Sequence, residues 1–256
     1  SKKLINKHDK YLKQYVFSLV LNGEIKNAIK QIKSSKNDNS ANFFEAYVLL
    51  LVESLQKKNF DKSDVILSEL KRFQNQGTYQ LVIYETLKNF KHLFESKKID
   101  NNIEDNFGKL SLINKAFQNC YLENLEAKSN FLNLINSNDG DYSRYLFFYL
   151  ISIIQDKELE TAKQIAQTID DLENNLLITQ SKSWINNSKF EIFEKVFSCK
   201  KEDNILSEFF FLISNFLASE EKFDKSNFYF NISNYLNPKF YYNLSHLVEN
   251  FYEKKN

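Results

Sequence analysis

The acidic run Asp170–Asn174 is the part of the chain whose residue types and spacing best fit metal chemistry. Within it, Asp170–Glu173 places carboxylates about a helical turn apart, and carboxylate oxygens are the ligands that Mg²⁺ prefers. A helical magnesium enzyme also needs a second acidic motif that faces the first. Asn37 and Asp38 with Glu45 fit that role poorly. A solvated helix end is therefore our preferred interpretation, and a Mg-dependent all-helical enzyme is the alternative.

The histidines and cysteines are too isolated in the sequence to indicate a metal site or a nucleophile. No HExxH or Cys-x-x-Cys motif surrounds them, and the four glycines form no phosphate-binding loop. We expect no cofactor and no metal. We expect both cysteines to be small buried hydrophobic residues rather than a disulfide pair. The residues concerned are His8, His92, His246, Cys120 and Cys199.

Lysines are concentrated near the start of the chain, although the whole chain carries 34 Lys+Arg against 33 Asp+Glu and a net charge of +1. Lys26, Lys30 and Lys33 share one face of a predicted helix that should point outward. Arg72 and Arg144 are the only arginines, and phosphate recognition favours arginine forks. We therefore expect no nucleic-acid partner, and weak RNA binding by the lysine patch stays an alternative.

The composition predicts an all-α fold. Only 4 glycines and 1 proline occur in 256 residues, too few for the turns of a β-sandwich, a barrel or a Rossmann-type sheet. The longest apolar run, Tyr145 to Ile154, is about half the length that spans a bilayer, so we expect no membrane insertion. We expect a soluble protein, cytoplasmic by default, or periplasmic if an upstream signal has been removed.

A short pattern returns about every 34 residues: a polar turn, an apolar anchor, and a small residue three positions later. The small residue has a mechanical reason, because a bulky side chain there would force the two helices of a tight hairpin apart. Phe193 breaks the pattern, so the sixth hairpin should be distorted. The turns begin at Gly23, Lys58, Leu122, Lys157, Ser188 and Glu221, with a degenerate copy at Lys97, and the small residues are Ala28, Ser63, Ala127, Ala162 and Ser226.

The repeat resembles the tetratricopeptide repeat family. The best-matching unit reads Phe223, Ser226, Phe230, Ser233 and Pro238, with the proline at the first position of the next helix. Other units depart from the family pattern. Tyr47 and Phe210 supply its early aromatic residue, whereas Leu51 and Leu150 stand where Gly or Ala is typical.

The resemblance implies a single α-solenoid over residues 1–256, built from about seven stacked antiparallel helical hairpins. We expect irregular structure between Gly77 and Gly108. A last helix, Tyr241 to Tyr252, should begin another unit that the chain does not complete. The natural protein is therefore expected to continue.

The resemblance also implies a function. In the family, the first helix of each hairpin lines a concave groove, so we expect a non-catalytic interaction scaffold that binds a peptide or a partner protein. The lysine–asparagine clamp of some members is not expected, since Phe17 follows Lys13 where asparagine would stand. The expected groove residues are Phe147, Ile151, Ile154, Phe211, Asn215 and Tyr242.

Overall fold

The computed structural model describes residues 9–35, 40–100, 107–137, 143–170 and 176–243. Within these ranges the chain forms thirteen α-helices and no strand, which confirms the all-α fold class. The helices are α1 (Asp9–Leu21), α2 (Ile25–Ser34), α3 (Phe44–Gln56), α4 (Phe60–Leu70), α5 (Thr78–Ser96), α6 (Lys109–Tyr121), α7 (Glu126–Ile135), α8 (Tyr145–Gln155), α9 (Leu159–Thr168), α10 (Leu176–Asn186), α11 (Glu191–Val196), α12 (Glu202–Ser219) and α13 (Phe223–Leu236). Two 3₁₀ segments, Lys71–Gln76 and Tyr241–Asn243, complete the described helical structure.

The chain divides into two compact units. So far as it is described, unit 1 holds α1–α5, the part of α12 from Leu206 onward, and α13. Unit 2 holds α6–α11, the start of α12 up to Ile205, and residues 239–242. The single array predicted over residues 1–256 stays a prediction.

Six turns in the described chain share one backbone motif. In each, the second residue after the end of the first helix has a positive φ, between 52° and 76°. Its N–H donates to the carbonyl three residues earlier, and the next N–H donates to the carbonyl five residues earlier, at 2.8–3.2 Å. This pair of bonds is the Schellman motif, which ends a helix and satisfies its last carbonyl groups. The positive-φ residues are Gly23, Lys58, Glu123, Lys157, Ser188 and Glu221.

These turns lie at the predicted turn positions, with a shift of one residue at Glu123. Lys97, the degenerate copy, also has a positive φ of 56°, and its N–H donates to the carbonyl of Leu93 at 2.9 Å. Residues 101–106 beyond it lie outside the described ranges. Most of the interval that was expected to be irregular is the single regular helix α5, preceded by a 3₁₀ segment.

The small residues predicted at the start of each second helix are buried. Ala28, Ser63, Ala162 and Ser226 are fully buried, and Ala127 is nearly so. Phe193 occupies the corresponding position of the last hairpin in unit 2, and there the second helix, α11, has only six residues. The bulky residue thus coincides with a shortened hairpin, as expected.

Hydroxyl groups join α12 and α13 where the two helices approach closely. Ser214 and Ser226 each donate to the other's backbone carbonyl, at 2.9 and 2.8 Å. Ser207 and Ser233 form the same reciprocal pair at 2.8 and 2.7 Å. A side chain larger than serine at these positions would separate the helix axes.

Unit 1 contains a contact that a linear stack of hairpins lacks. Each repeat of a solenoid contacts only its neighbours, yet α1 and α2 pack against α13 as well as against each other. The rings of Phe17 and Phe228 lie 4.5 Å apart at this contact. Unit 1 differs in this respect from the predicted solenoid.

In unit 2, helices that follow one another in sequence pack against each other. α6 packs against α7, α7 against α8, α8 against α9, and α10 against both α8 and α9. A cluster of buried aromatic rings, which includes Phe117, Phe148 and Phe197, fills the interior between these helices. Three successive hairpins, α6–α7, α8–α9 and α10–α11, therefore form one continuous core.

Cys120 and Cys199 form a disulfide bond in unit 2, and the expectation of two unbonded thiols is wrong. Both residues are buried, as expected. The bond joins the end of α6 to the segment between α11 and α12. Their separation of 79 residues along the chain carries no information about this proximity, which arises only when the three hairpins stack.

None of the helices in the described part of the chain is both long enough and apolar enough to cross a membrane.

Candidate functional site

A pocket of about 370 Å³ opens in unit 2 where the turns of the stacked hairpins meet. We call it the turn-end pocket. Its walls are the last turn of α8, the first residue of α9, the segment around α11, two turn residues with positive φ, and the residue after Cys199. Its size lies at the lower end of the range for ligand sites, about 300–1,000 Å³. The lining residues are Glu123, Ile151, Ile154, Gln155, Lys157, Leu159, Phe190, Glu191, Phe193, Glu194 and Lys200.

The floor of the turn-end pocket is apolar. Ile151 and Phe193 are almost fully buried, while Ile154, Leu159 and Phe190 are half-buried and face the opening. The Phe193 ring stacks on Phe147 at 5.6 Å and meets the edge of Trp184 at 5.3 Å. This aromatic support holds the floor in place, so the pocket offers a preformed apolar surface.

The rim of the turn-end pocket carries three carboxylates and two ammonium groups. Glu123 and Lys200 form an ion pair at 2.6 Å between Oε1 and Nζ. The hydrogen bond from Lys200 to Glu123 raises the pKa of the lysine. The disulfide is close to this pair along the chain, because Lys200 follows Cys199 and Glu123 comes three residues after Cys120. The disulfide bond therefore restricts the backbone on this side of the pocket.

Two of the predicted groove residues, Ile151 and Ile154, line the turn-end pocket. Phe147 does not, because it is fully buried and packs against Phe193 and Phe240. The structure places this side chain beneath the pocket floor rather than on an exposed surface. Tyr242 is also buried, and its hydroxyl donates to Gln180 at 3.2 Å.

The remaining two predicted groove residues belong to unit 1. Phe211 is buried on α12, and Asn215 is half-buried on the same helix. The side-chain oxygen of Asn215 is buried with no hydrogen-bond partner among the described residues. Neither residue is part of the turn-end pocket.

The predicted acidic cluster falls almost wholly outside the described residues. Asp170 is exposed just after α9, and residues 171–175 are not described. Glu45, from the second acidic motif, is buried in unit 1 and lies 3.2 Å from the ammonium of Lys13. Within the described ranges, no group of three or more His, Cys, Asp or Glu residues is placed to hold a metal ion.

Sequence reasoning missed a small cavity beside the turn-end pocket. This cavity, of about 70 Å³, shares Glu123 and Gln155 with the larger pocket. Leu125 lies on its lining and is 94% exposed. The available signal was a leucine two positions after the positive-φ turn residue. In the other hairpins of the described chain, the equivalent apolar residue is buried or half-buried.

A buried polar cluster in unit 1 was also missed. The Tyr79 hydroxyl accepts from Lys225 Nζ at 2.9 Å, and the Tyr229 hydroxyl is buried with no hydrogen-bond partner in the described chain. Burial, and then the negative charge of Glu45, raises the pKa of Tyr79 to about 12. The same two causes raise the pKa of Tyr229 well above its ordinary value.

The lysines of α2 lie as the sequence predicts. Ile25, Ala28 and Ile32 form the buried face, and Lys26 and Lys30 are exposed on the other side. Lys33 forms an ion pair with Glu53 on α3.

No protein-family model matches this chain, and neither a curated protein nor a solved structure is significantly similar to it.

Proposed function

We propose that this chain is a non-catalytic interaction module of the tetratricopeptide type that binds a peptide segment of a partner protein. The observation that carries the proposal is the turn-end pocket, an open cavity with an apolar floor and a charged rim. Such a cavity suits one large apolar side chain of a peptide that lies across the hairpin turns. The exposed side chain of Leu125 extends the same surface along the turns.

The chemistry of the rim supports binding rather than catalysis. Glu123 and Lys200 neutralise each other in an ion pair. The other polar lining groups are two carboxylates, one amide and one more lysine, on a rim that is open to water. Most catalysis requires a site that excludes water. We therefore assign the pocket a recognition role.

The experiment uses a random peptide library displayed on phage and selected on the immobilised chain. We expect selection of peptides that share a large aliphatic or aromatic residue. The variant Ile154→Glu should not select them, because the charge lies on the pocket floor. The matched control is Ile165→Glu, since Ile165 is half-buried on α9 away from the pocket, and this variant should select them normally.

Helical circular dichroism of each variant shows whether the fold is retained. Two results would contradict the proposal: no enrichment on the wild-type chain, or equal enrichment on a folded Ile154→Glu variant.

A further inference from the structure

We infer that the turn-end pocket recognises a basic segment, in which a lysine or arginine lies next to the apolar anchor. This inference rests on the proposed function and specifies the chemistry of its partner. The charges on the rim determine this preference, since the apolar floor by itself does not distinguish a basic from an acidic peptide.

The carboxylates on the rim outnumber the ammonium groups. The lining has three carboxylates and two lysines, so the pocket carries one net negative charge. The carboxylates are Glu123, Glu191 and Glu194, and the lysines are Lys157 and Lys200. The positive charge of Lys200 is already neutralised by Glu123, whose Oε1 lies 2.6 Å from the lysine Nζ. A bound acidic peptide would therefore find only Lys157 to pair with.

The two carboxylates of α11 are available to a ligand. Glu191 and Glu194 are exposed. The negative charge of Glu194 contributes to the raised pKa of Lys200, but Lys200 makes its ion pair with Glu123. They are three residues apart on a helix, a spacing that places both on one face. Both line the pocket beside Phe190 and Phe193, so a cation next to the anchor would lie against them.

Charge complementarity at a rim steers encounter and suppresses wrong partners. A lysine or arginine beside the anchor would pair with the exposed carboxylates of α11, which give the rim its net negative charge. An aspartate or glutamate in the same position would be repelled by them. A basic flank is therefore favoured over a neutral one, and a neutral one over an acidic one.

The test is a library of peptides with leucine or phenylalanine fixed at the centre and all residues varied on either side. Selection on the wild-type chain at low salt should enrich lysine and arginine near the anchor and deplete aspartate and glutamate. Enrichment of anchored peptides with neutral or acidic flanks would overturn this inference and leave the proposed function standing. Failure to select any anchored peptide would overturn the proposed function itself, and this inference with it.

A synthetic peptide from the basic set then measures the contribution of α11. The variant carrying Glu191→Gln and Glu194→Gln should bind it about twofold to thirtyfold more weakly, as expected for the loss of two exposed charge pairs. The variant's affinity should also depend less on salt. An unchanged affinity would overturn the inference.

The matched control is Glu160→Gln. Glu160 is 83% exposed on α9, pairs with Lys163, and does not line the pocket. Binding by this variant should equal that of the wild type. A second copy of this chain in the pocket would appear as a dimer in sedimentation that the basic peptide dissociates, and that result would also overturn the inference.

Discussion

Tyr79 remains a neutral phenol far into the alkaline range because it is buried near the carboxylate of Glu45. Its hydroxyl is held by Lys225, and its ring lies 6.5 Å from that of Tyr229. Ionisation would place a second negative charge beside Glu45 in the interior of unit 1. The folded state therefore favours the protonated tyrosine.

We expect this preference to appear as alkaline instability. The pKa of Tyr79 is raised in the folded chain to about 12, from an ordinary value of 10.0. The stabilisation that the protonated hydroxyl provides is therefore complete below pH 10 and is lost as the pH rises through about 12. Urea unfolding midpoints measured across this range should fall. The Tyr79→Phe variant should show a shallower fall, and an equally steep fall in that variant would contradict the prediction.

The burial of Phe147 was not predictable from the sequence for a physical reason. α8 is apolar around most of its circumference, and Phe147, Phe148, Leu150 and Ile151 are all buried. Helical periodicity identifies a buried face only when another face is polar. The sequence therefore could not show that Phe147 lies beneath the pocket floor while Ile154 reaches its opening.

The turns between helices were predictable because their chemistry is local. Polar residues and a small buried residue within a few positions mark each hairpin, and the hydrogen bonds of the turn span only five residues. What this local pattern omits is the packing of hairpins that are distant in sequence. The contact of α1 and α2 with α13 was missed for that reason.

The close approach of α12 and α13 depends on the serines at their crossing. We expect Ser226→Leu to destabilise the fold by about 2–3 kcal/mol, because the added volume must separate the helices or adopt a strained rotamer. Ser226→Ala should cost much less, since Ser214 still donates to the backbone carbonyl at position 226. Urea denaturation of both variants measures the difference.

The corresponding change at an exposed helix position is the control. Ser219, at the end of α12, is exposed, and Ser219→Leu should alter stability little. If Ser226→Leu is as stable as Ser219→Leu, the two helices are not as close as described.

At the scale of the whole chain, the disulfide is the structural feature that no local pattern could predict. We expect unfolding without reductant to expose no reactive thiol. Reduction should lower the free energy of unfolding by about 2–4 kcal/mol, because the bond restricts a long loop of the unfolded chain.

The double variant Cys120→Ala and Cys199→Ala is the control for this measurement. Its stability should be the same with and without reductant and should lie near that of the reduced wild type. Free thiols in the oxidised, unfolded wild type would show that the bond does not form.

The covalent bond between positions 120 and 199 closes a ring that contains α7 to α11. A protease that cuts once anywhere inside this ring leaves both fragments attached to each other. Such a nick would change the migration of the protein on a gel only after a reducing agent is added. Damage to this segment could thus pass unnoticed in any assay that keeps the sample oxidised.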